Sequence, residues 1–186
     1  MSVRTKVILA VCLGLVGVSA VAILLRLRDQ EQHVVQRTVV LAHLQFYAEF
    51  QAEFKKRSLY GPERGAVFAN PTDGRGFPDL YKVKGANDRE AETGLIGREW
   101  AEATSPDKAY QGYYYIDVVA DGNGPLDFTE RCGICACPVE ADSPTLIADE
   151  SGAIYEKWLN GARVTVWPDL EGEGWTPVRK GGAWVK

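Results

Sequence analysis

Residues 7–25, VILAVCLGLVGVSAVAILL, run for 19 positions without a charge, and no other feature limits the fold of this chain as strongly. A helix of about 20 apolar residues crosses roughly 30 Å of hydrocarbon while satisfying its backbone polar groups internally. Arg4 and Lys6 precede the run, and Arg26 and Arg28 follow it. A short basic N-terminal tail favours keeping that end in the cytoplasm. The expected topology is a single-pass inner-membrane protein whose remaining residues are periplasmic or extracellular. A cleaved signal peptide competes with this reading, because Ala20-Val21-Ala22 has the small-x-small pattern of a cleavage site. The apolar run nevertheless continues through Ile23, Leu24 and Leu25, where a polar region is expected. Cys12 lies inside the span and reads as a small apolar side chain.

Charge narrows the partners of the exported part. All 25 acidic residues follow Arg28 but only 17 of the 21 basic ones do, which leaves that part with a formal charge of −8. Nucleic acid is therefore disfavoured as a partner, whereas the lipid bilayer is implied by the apolar run.

The next segment, residues 29–56, contains no Gly or Pro and reads as helix. Apolar residues recur at Val35, Val39, Ala42, Phe46, Phe50 and Phe54, with Val40, Leu44 and Tyr47 widening the stripe. No breaking signal separates this segment from the apolar run. The expectation is one continuous helix of about 50 residues, roughly 75 Å long at 1.5 Å per residue. The stripe centred on Phe46, Phe50 and Phe54 is expected to pack on whatever follows.

From Tyr60 onward Gly and Pro punctuate the chain every few residues, which marks a loop-rich connector with a turn at Asp73-Gly74. The stretch TGLIGREWAEAT, residues 93–104, suggests a short amphipathic helix that Ser105-Pro106 ends. Beyond it the pattern alternates as antiparallel sheet. GYYYIDVV, LDFT, ICACPV, TLIA, AIYEKW and RVTVW read as strands or strand candidates. DESG joins TLIA to AIYEKW, with Gly152 free to take a left-handed conformation. The fold class is α+β: a long N-terminal helix packed on a four- to five-stranded antiparallel sheet. Its parts are an anchor with flanks (1–28), a continuation of the helix (29–57), a loop-rich sheet domain (58–178) and a tail (179–186).

A membrane-spanning helix that runs into a sheet domain with Gly-rich loops resembles the architecture of type IV pilins and the pseudopilins of type II secretion. The C-terminal half also resembles the bacterial domain of unknown function 2950 family. That likeness is carried by GYYY, ACPVEADSP, TLIADESGAIYEK and GWTPV, in that order. The first resemblance implies a pilin-like fold whose partners are other envelope or pilin-like proteins or a second copy of the chain. The sequence departs from that family at the prepilin processing site: Gly14 and Gly17 are followed by Leu15 and Val18, and no Glu occurs before Glu31. A pilin-like domain on a simple membrane anchor survives this departure.

Cys132, Cys135 and Cys137 place three of the four cysteines within six residues. If ICACPV is a strand, Cys135 and Cys137 share a face about 6.6 Å apart along the chain, a poor arrangement for a disulfide. A Cys132–Cys135 bridge requires Gly133 to turn the chain. Inert buried thiols and a metal or redox centre using all three remain alternatives, the last as a periplasmic thiol-redox or metal-binding protein. A zinc site needs a fourth ligand, and His33 and His43 sit ten residues apart on the helix, where both read as solvated. Asp117, Asp121, Asn123 and Asp127 gather oxygen ligands that suit Ca²⁺, without the spacing of an EF-hand. A plain Asp-Gly turn is the competing reading, and no other cofactor is implied.

Tyr114, Ile116 and Val118 fall on one strand face and Tyr113 and Tyr115 on the other, a packing pattern. Trp158, Trp167, Trp175 and Trp184 read as cover for the sheet and its edges. With two histidines and no GxSxG, HExxH or phosphate-binding loop, an enzyme site has little to build from. The expectation is a non-enzymatic envelope protein acting by protein interaction, with loops 61–77 and 121–124 as contact surfaces.

Overall fold

The computed structural model describes residues 3–56, 68–69, 76–82, 95–180 and 183–185. Contacts divide the chain into two units, Met1–Thr38 and Val39–Lys186. One helix, α1, spans Val3–Lys56. Lys55 and Lys56 in its last turn favour the negative end of the helix dipole. Among the described residues no helix is long and apolar enough to cross a membrane; the side chains of residues 7–25 lie outside the described set. In the first unit Val34 and Val35 are exposed, and the Thr38 hydroxyl donates to the Val34 carbonyl at 2.8 Å.

The second unit is α+β. After α1 come the short helix α2 (Arg98–Glu102) and strands β1 (Tyr113–Asp117), β2 (Ala120–Asp121), β3 (Gly124–Pro125), β4 (Gly133–Pro138), β5 (Thr145–Asp149), β6 (Ile154–Lys157), β7 (Thr176–Lys180) and β8 (Ala183–Trp184). Six of them form one antiparallel sheet in the order β1-β4-β5-β6-β7-β8, and β2 and β3 make a separate two-stranded ribbon. Five of the six have at least four residues, and the two-residue β8 adds a sixth beyond the expected number. Residues 179–180 and 183–184 of the expected tail therefore belong to the sheet. Pro177 in β7 lacks an N–H for the ladder, and the register between β6 and β7 shifts at Ile154 and Tyr155 to accommodate that strand.

Three other segments differ from the sequence pattern. LDFT is a turn rather than a strand, because the Asp127 carboxylate accepts from the backbone and hydroxyl of Thr129 at 2.9 and 2.7 Å. RVTVW forms only a single parallel bridge, Val166 to Ala120. The short helix begins at Arg98, since Gly97 is extended with φ −67° and ψ 151°.

The buried face of α1 is Val40, Leu44, Tyr47, Gln51 and Phe54, spaced four, three, four and three. This is a correction to the expected stripe. Phe54 is buried and Phe50 packs against the core from its rim, but Phe46 is 43% exposed and Val35 is 60% exposed. A helix turns about 100° per residue, so the residues that seemed to widen the stripe are its centre. Phe46 and Phe50 instead stack on each other at the rim, with ring centroids 6.0 Å apart. Gln51 is fully buried because its amide is satisfied. The Ala69 N–H donates to Oε1 at 2.8 Å, and Nε2 donates to the Tyr47 hydroxyl at 3.0 Å and the Ala69 carbonyl at 3.4 Å. In the last turn of the helix, the Lys55 ammonium donates to the Thr129 carbonyl.

Both faces of the central strands are covered. On one, Tyr115 of β1 reaches His43 of α1, and Cys132 meets the Tyr47 hydroxyl. On the other lies the long connection between β6 and β7, residues 158–175. It is pinned where the Val119 N–H donates to the Thr165 carbonyl at 2.9 Å and the Trp167 N–H to the Ala120 carbonyl at 2.7 Å. Gly133 admits this cover: a Cβ there would lie 3.1 Å from the Trp167 ring and 3.2 Å from Val118.

Candidate functional site

The most chemically distinctive site lies on β4, all six of whose residues are buried. The strand runs between β1 and β5, with Cys137 opposite Tyr114, Cys135 opposite Ile116 on one side and Ile147 on the other. Alternation sends Cys135 and Cys137 to the face under the 158–175 connection, while Cys132, three residues from Cys135 on extended chain, faces α1. The Cys135 and Cys137 sulfurs are 3.2 Å apart. The pair that the strand brings together is thus Cys135 with Cys137. The Cys132–Cys135 bridge lacks its geometry, because Gly133 continues the strand instead of turning it. The expected 6.6 Å separation describes the backbone repeat, whereas the two side chains lean towards each other.

The surroundings treat the three thiols differently. Burial pushes the Cys132 thiol well up. Burial likewise raises Cys135, whereas the hydrogen bond from Cys135 holds Cys137 below the ordinary thiol range. Arg163 lies above this face, its Nε 3.4 Å from the Tyr114 hydroxyl and its guanidinium carbon 5.4 Å from the Tyr114 ring centre. Thr145, two residues before Ile147 on the same face of β5, is fully buried, and its hydroxyl has no hydrogen-bond partner among the described residues.

A second cluster surrounds His43, which is not a solvated helix residue. Its ring stacks on Trp100 at 4.4 Å and 15°, and on Tyr110 at 5.5 Å and 24°. Nδ1 is 3.4 Å from the Tyr115 hydroxyl. Burial lowers its pKa to about 4, so the ring is neutral at pH 7. An open cleft of about 360 Å³ beside it is lined by His43, Gly97, Arg98, Glu99, Trp100 and Tyr110. The side chain of His33 lies outside the described residues.

The three carboxylates among the four residues considered for Ca²⁺ have separate partners. Asp117 accepts the Phe77 N–H at 3.1 and 3.0 Å; Asp121 accepts the Asn123 N–H at 2.8 Å and pairs with Arg131 at 2.8 Å; Asp127 caps Thr129. Asn123 is exposed on the β2–β3 turn. Among the described residues no group of three or more His, Cys, Asp or Glu is placed to hold a metal ion.

Of the tryptophans, Trp175 is buried and Trp167 lies against Gly133, but Trp158 is 63% exposed. The side chain of Trp184 is outside the described set, as is most of the 61–77 loop; Phe77 at its end is fully buried. Sequence reasoning missed the contact of the two sulfurs, since the i, i+2 spacing gives the shared face but not the side-chain rotamers. Comparison with protein-family models, curated proteins and solved structures finds no match to this chain.

Proposed function

We propose that this is a non-enzymatic, single-pass envelope protein, anchored by residues 7–25, whose pilin-like sheet domain acts by binding other envelope proteins or further copies of itself. The observation that carries the reading is the continuity of α1 from Val3 to Lys56. The charge-free run and the buried helix face both belong to α1, so an anchored N-terminus would tether the domain to the membrane. Basic residues flank the run on both sides, which suits the headgroup regions. The exposed β2–β3 turn at Gly122 and Asn123 and the indole of Trp158 are the contact surfaces among the described residues.

Photo-crosslinking tests this reading. A photoreactive amino acid at position 158 or 123 of the full chain, irradiated in intact cells, is expected to give discrete envelope adducts that disappear when residues 7–25 carry two arginines. Absence of adducts from both positions, or adducts unchanged by the arginines, overturns it.

A further inference from the structure

Two thiol sulfurs 3.2 Å apart on one strand face need to close by only about 1.2 Å to reach the roughly 2.05 Å of a disulfide. The two residues are i and i+2, so their Cα atoms lie about 6.6 Å apart along an extended strand, near the upper end of the range a disulfide spans. A bond closed across that distance is strained, and a strained disulfide is more readily reduced than a structural one. We infer that Cys135 and Cys137 form a reversible dithiol–disulfide couple, oxidised and reduced by exchange with a disulfide or dithiol partner, while Cys132 takes no part. The inference is independent of membrane anchoring.

The reaction balances with a disulfide R–S–S–R as oxidant. The Cys137 thiolate attacks one sulfur of R–S–S–R, forms a mixed disulfide and expels RS⁻, which takes up a proton. Cys135 loses its proton, its sulfur attacks the Cys137 sulfur, and the second RS⁻ leaves and is protonated. The two cysteines are oxidised by two electrons, and R–S–S–R becomes two RSH. Reduction by a dithiol is the reverse. Cys137 is the attacking thiol because the hydrogen bond from Cys135 favours its thiolate. The Val164 backbone and the Tyr114 hydroxyl lie against the pair, with the Arg163 guanidinium over Tyr114 and the unpartnered Thr145 hydroxyl on the same face.

Both sulfurs are covered, so exchange requires the 158–175 connection to lift. The segment directly above the pair is more exposed than β4 beneath it. Ala162, Arg163, Thr165 and Val166 are exposed, and its backbone is tied to the sheet layer through Thr165 and Trp167. At its start Asn160 and Gly161 take positive φ values of 52° and 78°, which turn the chain over the Pro138 carbonyl.

The test uses the full chain in detergent micelles, equilibrated in buffers of reduced and oxidised glutathione, quenched with acid, alkylated with N-ethylmaleimide and mapped by mass spectrometry. On going from reducing to oxidising buffer, the segment carrying Cys132, Cys135 and Cys137 is expected to lose two of its three labels, Cys132 keeping its own. The Cys132→Ser chain is expected to behave like wild type. Cys135→Ser and Cys137→Ser should each lose the cyclic disulfide, and any label lost should appear as a glutathione adduct. The pair should re-reduce at a glutathione ratio that leaves an unstrained structural disulfide intact. Retention of all three labels in fully oxidising buffer, with circular dichroism showing the native fold, overturns the inference. So does a disulfide that includes Cys132, or one that forms only in urea.

Discussion

Replacing Gln51 by leucine removes a polar clamp while keeping nearly the same volume in the core. The Ala69 N–H, on a residue with no exposed surface, then loses the Oε1 acceptor 2.8 Å away and has no solvent to replace it. A buried donor left in that state costs about 1–3 kcal/mol. The Tyr47 hydroxyl also loses Nε2 at 3.0 Å but keeps its contact with Cys132, so its share is smaller. Added apolar burial by leucine offsets part of the loss, which leaves a net destabilisation of about 1–2 kcal/mol. Equilibrium urea unfolding of the full chain in micelles reads this as a lower midpoint at unchanged slope, by roughly 1 M for a slope of about 1–3 kcal/mol per M. A midpoint within error of wild type would refute the role given to this clamp. A higher midpoint would show that the helix-to-connector contact is apolar.

Other outcomes follow from the same packing. His43 is neutral in the fold with a pKa of about 4, below the ordinary value of 6.5, so the unfolded chain binds the extra proton between those values. Stability should be full above pH 6.5 and fall as pH drops towards 4, and the difference between wild type and His43→Phe should be constant above pH 7 and change as pH falls from there towards 4. A difference independent of pH contradicts this. Gly133→Ala places a Cβ 3.1 Å from the Trp167 ring and should lower the unfolding midpoint by an amount corresponding to about 1–3 kcal/mol, as overpacking does. Trp158→Ser, at an indole 63% exposed, should change stability by less than about 0.5 kcal/mol, and a larger loss in a thermal melt would place that side chain in the core.

The sequence made some of these elements legible and concealed others for identifiable reasons. The hairpin of β5 and β6 was readable because DESG carries its own turn chemistry: Gly152 takes φ +73°, and the Asp149 carboxylate accepts the Ser151 and Ala153 N–H groups at 2.9 and 3.0 Å. The alternation of Tyr113, Tyr114 and Tyr115 likewise appears as expected, with Tyr115 towards His43 and Tyr114 towards Arg163. The phase of α1 was harder, since the pattern weighed large aromatic rings and discounted Gln51, whose burial depends on a backbone partner 18 residues away. Strand β7 was hidden by Pro177, which marks an edge or an irregularity in a ladder. At the cysteines, spacing reveals which residues share a face, but the approach of two sulfurs to 3.2 Å is set by rotamers and by what covers the strand.

Protease protection of the full chain in spheroplasts tests the central reading most directly, because it reads anchoring and orientation together. With the outer membrane opened and the inner membrane intact, a C-terminal tag should be removed by added protease while an N-terminal tag survives, and alkaline carbonate should leave the chain in the membrane pellet. Protection of the C-terminal tag under those conditions, or release of the intact chain by carbonate, would contradict a single-pass anchor at residues 7–25 with the sheet domain on the outer side.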